Sequence, residues 1–365
     1  MKVSHSKLEL YNLCSKKYQY RYIYGYAPKF LTSQLFFGGI VGRIWQAFCL
    51  TKKDNLTQAE QEEVKLTNDW RKSIEQLMMS VRLNDTTVEL SGARKEVWYN
   101  KGDFNRDLLD EFDLAAIKVK AEQLSMITAE GKVIQFEDLI EFYKSSKLDV
   151  VEHEYMNFHF WLCMIKKAQI LTQAYIDEIL PRITRVESVE HEISIKAQDG
   201  SGEALNDSIT GFIDLVCYYK VDAENADRLG LNEGDEIRVI FDHKTSSSKY
   251  KSDKIKVDSQ QLSIYEFGLP SKYVGYIVGV KDISVFKRGE KAGKINCKMQ
   301  VLIDTLDVEK QEEFLTSAMD TVNMIKEEKF EKNFKSCEAY GHRCEFYGMC
   351  RENETDAYLF KRGRK

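Results

Sequence analysis

The chain has 365 residues, 43% hydrophobic and 30% charged, which is enough apolar material for one large packed domain and too much for a disordered segment. A formal net charge of −5 excludes a protein that coats nucleic acid through bulk positive charge and leaves only local basic patches for that purpose. Three prolines and no Ser/Gly tract mark no linker, so one elaborated domain over 1–365 is expected, and nothing repeats at a solenoid period.

The amino end is the basic end. Lys2, Lys7, Lys16, Lys17, Arg21 and Lys29 face the lone acid Glu9, whereas 222–236 is acidic. Its first residues are polar and lack the apolar core of a secretory signal. Leu8, Tyr11, Leu13, Tyr18 and Tyr22 fall at helical spacing and predict a helix over 8–25. A second is predicted over 35–50. That segment carries Arg43 and Gln46 and falls short of the roughly 20 apolar residues of a membrane span. A soluble, cytoplasmic protein without a membrane partner is expected, and its eight cysteines then read as packing, metal-binding or redox residues rather than disulfides.

Thr57 with Glu60 three residues later is a capping box, and it opens a helical region that ends at Leu180 before Pro181. We take 51–180 as a helical insert. Beyond it, runs rich in Val, Ile, Tyr and Phe predict strands at 186–197, 209–219, 237–243, 273–281 and 297–303. These make a sheet core over 181–305, with a short helix over 259–267 and a late one through Phe314, Ala318, Val322 and Ile325. The expected class is α/β, a central mixed sheet flanked by helices.

Two strands carry charge. Gly211-Phe-Ile-Asp214 places a carboxylate in an apolar run, and Arg238-Val-Ile-Phe-Asp242-His-Lys244-Thr adds an Asp and a Lys. Alternation puts Asp242 and Lys244 on the same side of a strand. Were Asp214 on the neighbouring strand, two carboxylates would make a hard oxygen site suited to Mg²⁺ or Mn²⁺. Such an ion lowers the pKa of a water and neutralises charge on a phosphoryl oxygen. The plainer alternative is a buried Asp242–Lys244 ion pair with Asp214 at a turn.

In order, Gly211-Phe-Ile-Asp214, Val239-Ile-Phe-Asp242-His-Lys244-Thr and Gln261-Leu-Ser-Ile-Tyr265 resemble the three motifs of the PD-(D/E)XK nuclease superfamily, specifically its RecB/AddB-like exonuclease branch. The resemblance implies a restriction-endonuclease-like fold. Asp214 and Asp242 would be metal ligands with the main-chain carbonyl of His243, Lys244 would orient or activate the attacking water, and Gln261 and Tyr265 would line the site. Glu190, one strand earlier, aligns with an acidic position of some members.

The opening Ser4-His-Ser6-Lys-Leu-Glu-Leu-Tyr11-Asn-Leu-Cys14-Ser-Lys-Lys-Tyr18 is also similar to that branch, with Ser15 where proline is usual. Cys14 would be the distant first ligand of a 4Fe-4S cluster completed by Cys337, Cys344 and Cys350 over 337–350. The gap from Cys344 to Cys350 fits the branch; the longer one from Cys337 to Cys344 does not. A Cys₃His zinc site using His342 is the competing reading, with Zn²⁺ in place of the cluster. Cys49, Cys163, Cys217 and Cys297 lie in apolar runs and read as core. A second departure is at Gly38-Gly-Ile-Val-Gly42-Arg, where the branch has a metal-binding histidine at the position of Gly42. Gln46 follows one turn on.

Lys249, Lys251, Lys254 and Lys256 follow the Asp-x-Lys strand as a candidate phosphate-holding loop. Tyr18, Tyr20, Tyr22 and Tyr24 read as core or as stacking platforms for unpaired bases, and the Lys-Arg-Gly-Arg-Lys end as a tail that assists nonspecific binding. The expected function is a metal-dependent DNA exonuclease acting on single-stranded ends. One alternative is a catalytically impaired nuclease-like subunit that holds DNA or serves assembly; another is a zinc-stapled RNA-processing enzyme. Relatives of the branch act in recombinational repair, phage replication and CRISPR spacer acquisition, so protein partners in such complexes are expected beside DNA.

Overall fold

A computed structural model of the chain describes every residue except 29, 80–86, 91–92, 99–102, 140–149, 199–203, 258–259, 339–343, 353–358 and 362–365. Strand β1 (Lys2–Ser4) leads into the helix His5–Leu13, and two short strands, β2 (Tyr26–Pro28) and β3 (Phe30–Thr32), precede the helix Ser33–Leu50. The helix expected over 8–25 is interrupted. Cys14 takes an extended conformation, φ −164° and ψ 105°, before helical turns resume at Ser15.

Segment 51–180 opens as its capping box requires, with Thr57 and Glu60 exchanging both hydrogen bonds. Helices Glu111–Gln123 and Val150–Ala174 follow, but β4 (Thr87–Leu90) and β5 (Ala93–Trp98) come before them and join β3 in a small sheet of order β3-β5-β4. Runs this short and this rich in charge have no clear strand periodicity, which is why the sequence reads there as helical insert. The insert has its own core, where Phe104 and Phe136 stack at 3.8 Å beside buried Tyr155, Phe158 and Phe160.

Beyond Pro181 come β6 (Ile183–Gln198), β7 (Ala204–Lys220), β8 (Glu236–Ser246), β9 (Tyr273–Val285) and β10 (Ile295–Asp304), all longer than expected but in the expected places; β11 (Leu359–Lys361) pairs with β2. The central sheet runs β1-β7-β8-β9-β10 with β6 also on β7, and it is mixed: β8 and β9 are parallel, as are β1 and β7, and the remaining pairs are antiparallel. One face is covered by Ser33–Leu50 and Val150–Ala174, burying Ile44, Trp45, Leu171, Leu215 and Phe241. The other is covered by Gln260–Gly268 and Val308–Lys326, burying Ile213, Val216, Ile240, Leu262 and Val322. The chain is therefore a mixed α/β protein with helices on both faces of its sheet. Among the described residues no helix is long and apolar enough to cross a membrane.

One irregularity of this sheet positions the site. A strand has two edges, and β6 occupies one edge of β7 along most of its length. The other edge is shared: β8 pairs over Leu215–Lys220 and β1 over Ser208–Thr210. Residues 211–214 between these stretches face a gap where β8 has parted from β7.

The glycines of β9 keep β8 in place. A Cβ on Gly275 would lie 2.4 Å from the Leu302 carbonyl oxygen and 2.8 Å from the Phe241 ring, and neither backbone nor a buried ring can yield cheaply. Gly275→Ala is expected to lower stability by about 1–3 kcal/mol, the usual range for overpacking, read as a fall in the urea midpoint at unchanged slope.

Candidate active site

On β8, alternation sends Asp242 and Lys244 toward the helix Gln260–Gly268 and His243 toward the opposite helices. Four side chains then close a ring. The Tyr265 hydroxyl donates to Asp242 Oδ1 at 3.2 Å and accepts from Gln261 Nε2 at 2.6 Å, while Lys244 Nζ donates to Gln261 Oε1 at 2.9 Å. Lys244 Nζ also lies 2.8 Å from Asp242 Oδ2. Gln261 and Tyr265 stand one helical turn apart, which lets one amide serve both neighbours.

Asp214 fills the gap between β7 and β8, where its Oδ2 accepts the main-chain N–H of His243 at 2.8 Å. Burial, reinforced by the charge of Asp242, pushes its carboxyl up to about 7 despite that hydrogen bond. Burial likewise raises Asp242, with Lys244 opposing the shift. Lys244 is held in its charged form: burial works against it, but the neighbouring Asp242 and Asp214 outweigh that effect. The site thus holds two carboxylates against one ammonium and lacks positive charge.

His243 is anchored from behind the sheet. Its Nε2 is 3.2 Å from the Tyr175 hydroxyl, which in turn meets Cys49 Sγ at 3.0 Å, and Trp45 stacks on Tyr175 at 4.7 Å between ring centres. Burial drives the imidazole pKa down to about 3, so the ring is neutral. The main chain of residue 243 is therefore fixed by Asp214 on one side and by its own side chain on the other.

Glu190 lies on β6 between the pairs Val189↔Leu215 and His191↔Ile213, across from Asp214. It holds φ at +50°, the left-handed region that a residue other than glycine enters only when its surroundings compel it. Gln46 Nε2 donates to Glu190 Oε1. Nothing lies within 4 Å of where a Cβ on Gly42 would stand, and Arg43 beside it is drawn away by a two-pronged pair with Glu63. His5, at the start of the first helix, follows β1 where that strand leaves β7, and it acts weakly against the rise of the Asp242 carboxyl. Sequence reading assigned no role to His5, Tyr175 or Trp45; the only signal was the place of His5 between the serines of the opening.

The donors suit a hard divalent cation: two carboxylates against one ammonium, beside a rigidly held backbone at residue 243. As they stand, no three His, Cys, Asp or Glu side chains among the described residues are grouped closely enough to hold a metal ion.

Cys14, Cys337, Cys344 and Cys350 line one small cavity with Lys17, Tyr20, Lys332 and Phe346, and all are unbridged. Burial raises the Cys344 thiol to about 11; it also raises Cys350, assisted by the charges of Cys14 and Cys337 and opposed by Lys332 and Lys16. Hydrogen bonds and an ion pair also tie the two ends. Asn333 Nδ2 donates to the Leu13 carbonyl at 2.8 Å, Ser15 Oγ accepts from Glu331 N–H at 2.7 Å, and Lys17 pairs with Glu345 at 2.6 Å. His342, the competing zinc ligand, lies outside the described residues.

Two readings of basic and aromatic residues change. Lys249 lines a cavity of about 590 Å³ together with Asp177, Glu178, Asp222 and Glu224, and none of the site residues lines it. Lys256 pairs with Asp304 at 3.4 Å, and Lys254 lies over the Tyr250 ring. Lys251 is exposed, and among the described residues no ion pair is seen for it. Tyr18 is core, stacked on Phe330 and edge-on to Tyr11, while Tyr24 is exposed.

No protein-family model and no curated protein matches the chain. A solved structure, "Crystal structure of SSO0001", is 15% identical with a TM-score of 0.25, covering 67% of this chain and 98% of that one. A likeness of that degree supports no conclusion.

Proposed function

We propose that this chain is a divalent-metal-dependent deoxyribonuclease of the PD-(D/E)XK, restriction-endonuclease-like type, acting on single-stranded or end-containing DNA. The observation that carries the reading is the ring Asp242–Tyr265–Gln261–Lys244 beside Asp214. It unites Asp214, Asp242, Lys244, Gln261 and Tyr265 from three sequence motifs, and as a stabilising device it makes poor sense, because it sets two carboxylates, one of them buried, against one ammonium. Asp214, Asp242 and the His243 carbonyl would hold Mg²⁺ or Mn²⁺, which supplies an acidified water and neutralises phosphoryl charge. Lys244, fixed by Gln261 and Asp242, orients the attacking water and holds its charged form toward the phosphate. Tyr265 keeps Asp242 oriented, and the N–H of residue 243 does the same for Asp214. Purified protein should degrade end-labelled DNA only when Mg²⁺ or Mn²⁺ is present.

A second reading rests on the open space at Gly42: a nuclease-like subunit that binds DNA without cutting it. It requires salt-dependent DNA binding that is indifferent to substitution of Asp242 or Lys244.

The four thiols are assigned to a 4Fe-4S cluster that clasps the two ends, with Zn²⁺ as the alternative occupant. Protein purified anaerobically is expected to be brown, and Cys14→Ala should lose the broad visible absorbance while loosening both termini together, read by limited proteolysis. Colourless protein with one bound zinc would assign the site to Zn²⁺ instead.

A further inference from the structure

We propose that Glu190, held by Gln46, supplies the metal-directed group that the branch draws from a helical histidine, the position occupied here by Gly42. The inference rests on the nuclease reading above. Three independent features of this chain converge on Glu190. Its backbone sits at φ +50° inside a strand, a conformation that glutamate does not adopt without a local reason. Its register places it across from Asp214, and its charge is among those acting on the Asp214 carboxyl. Its carboxylate is exposed, yet it is oriented by the Gln46 amide.

The geometry also explains why Gln46 is the orienting partner. Residues 38, 42 and 46 fall one turn apart along Ser33–Leu50, and the first of them faces the catalytic strand, since a Cβ on Gly38 would lie 3.2 Å from Thr245 Oγ1. Gly42 thus leaves room between Thr245 and Gln46, with nothing within 4 Å of its missing Cβ. In this arrangement Gln46 is a positioning residue; it acts on the metal site through Glu190.

The test is direct titration of the protein with Mn²⁺, followed by electron paramagnetic resonance of the free ion, beside cleavage assays over a range of Mg²⁺. Loss of an outer partner of a metal ligand typically weakens metal affinity about 10–100-fold. Gln46→Ala is expected to do so, raising the Mg²⁺ concentration for half-maximal cleavage while leaving the rate at saturating Mg²⁺ within about twofold. Glu190→Gln should weaken Mn²⁺ binding by at least about tenfold. Glu190→Gly separates function from folding. Glycine tolerates the left-handed backbone, so its thermal midpoint should be no lower than that of the native chain while Mn²⁺ affinity falls. Adding Gly42→His to Glu190→Gly should restore Mn²⁺ affinity by returning a ligand from the helix.

Mn²⁺ binding unchanged in both Glu190 variants, with Asp242→Asn abolishing it, overturns this proposal and leaves the nuclease reading intact. If Asp242→Asn also binds Mn²⁺ normally and cleavage is unaffected, the nuclease reading itself falls.

Discussion

Lys244→Ala is expected to lower metal-dependent DNA cleavage by about 10²–10⁴-fold, the range that a positioned proton-transfer group contributes. The Nζ atom is held at 2.9 Å from Gln261 and 2.8 Å from Asp242, so no other cation can take its place without rebuilding the ring. Removing it leaves Asp242, only 1% exposed, as a buried carboxylate without its partner. That loss could unfold the protein for reasons unrelated to chemistry. Lys244→Gln, which keeps a donor beside Asp242, is therefore measured in parallel, with circular dichroism to show that both variants are folded. Single-turnover cleavage of end-labelled single-stranded DNA is the readout, and Asp242→Asn should show a loss as large. Cleavage at native rates by a folded Lys244→Gln protein would end the assignment of this ring as the catalytic centre.

Asp214→Asn is expected to have two opposite effects, raising the stability of metal-free protein while abolishing metal-induced stabilisation. The sign follows from proton binding. In the folded chain the Asp214 carboxyl titrates at about 7, whereas in the unfolded chain it titrates near the usual value of about 3.9. Between these values the folded state binds more protons, so stability is lost as pH rises through that window. Metal-free native protein should melt lower at pH 8 than at pH 5, and the difference should shrink in Asp214→Asn. Relief worth about 1 kcal/mol corresponds to roughly 2–4 °C in a medium-sized domain. Mg²⁺ reverses the trend in the native chain, since a divalent cation prefers the ionised pair, and the midpoint gain on adding it should grow from pH 6 to pH 8. Equal pH dependence in native and Asp214→Asn proteins would show that burial and the charge of Asp242 do not raise the Asp214 carboxyl as assigned.

Both expectations use the same property of the site. On the proposed reading, the folded chain gives up stability to keep its carboxylates together, as functional sites commonly do.

Much of this was legible in the residues. Five runs enriched in Val, Ile, Tyr and Phe after Pro181 became five strands, and the most continuously apolar of them, Tyr273–Val280, is buried on both faces of the sheet. The pairing of Asp242 with Lys244 followed from alternation alone, and the capping box at Thr57 from local chemistry. Gln261 and Tyr265 could be placed on one helical face by their spacing. These are short-range properties, set by neighbours a few positions away, and the sequence alone determines them.

What it could not determine is where separate segments meet. That β1 and β8 share one edge of β7 and leave a gap at 211–214 depends on strand order. That gap brings His5 near Asp242, and Asp214 to the N–H of residue 243. The lysines after β8 looked available to phosphate by adjacency, yet Lys249 and Lys256 lie among acids from 177–178, 222–224 and 304. Gln46 and Glu190 are 144 positions apart, and no periodicity links them. Local chemistry therefore determined which groups this protein carries, and only tertiary packing decided which of them share a charge, because electrostatic and hydrogen-bonding partners are set by distance in space and not by separation along the chain.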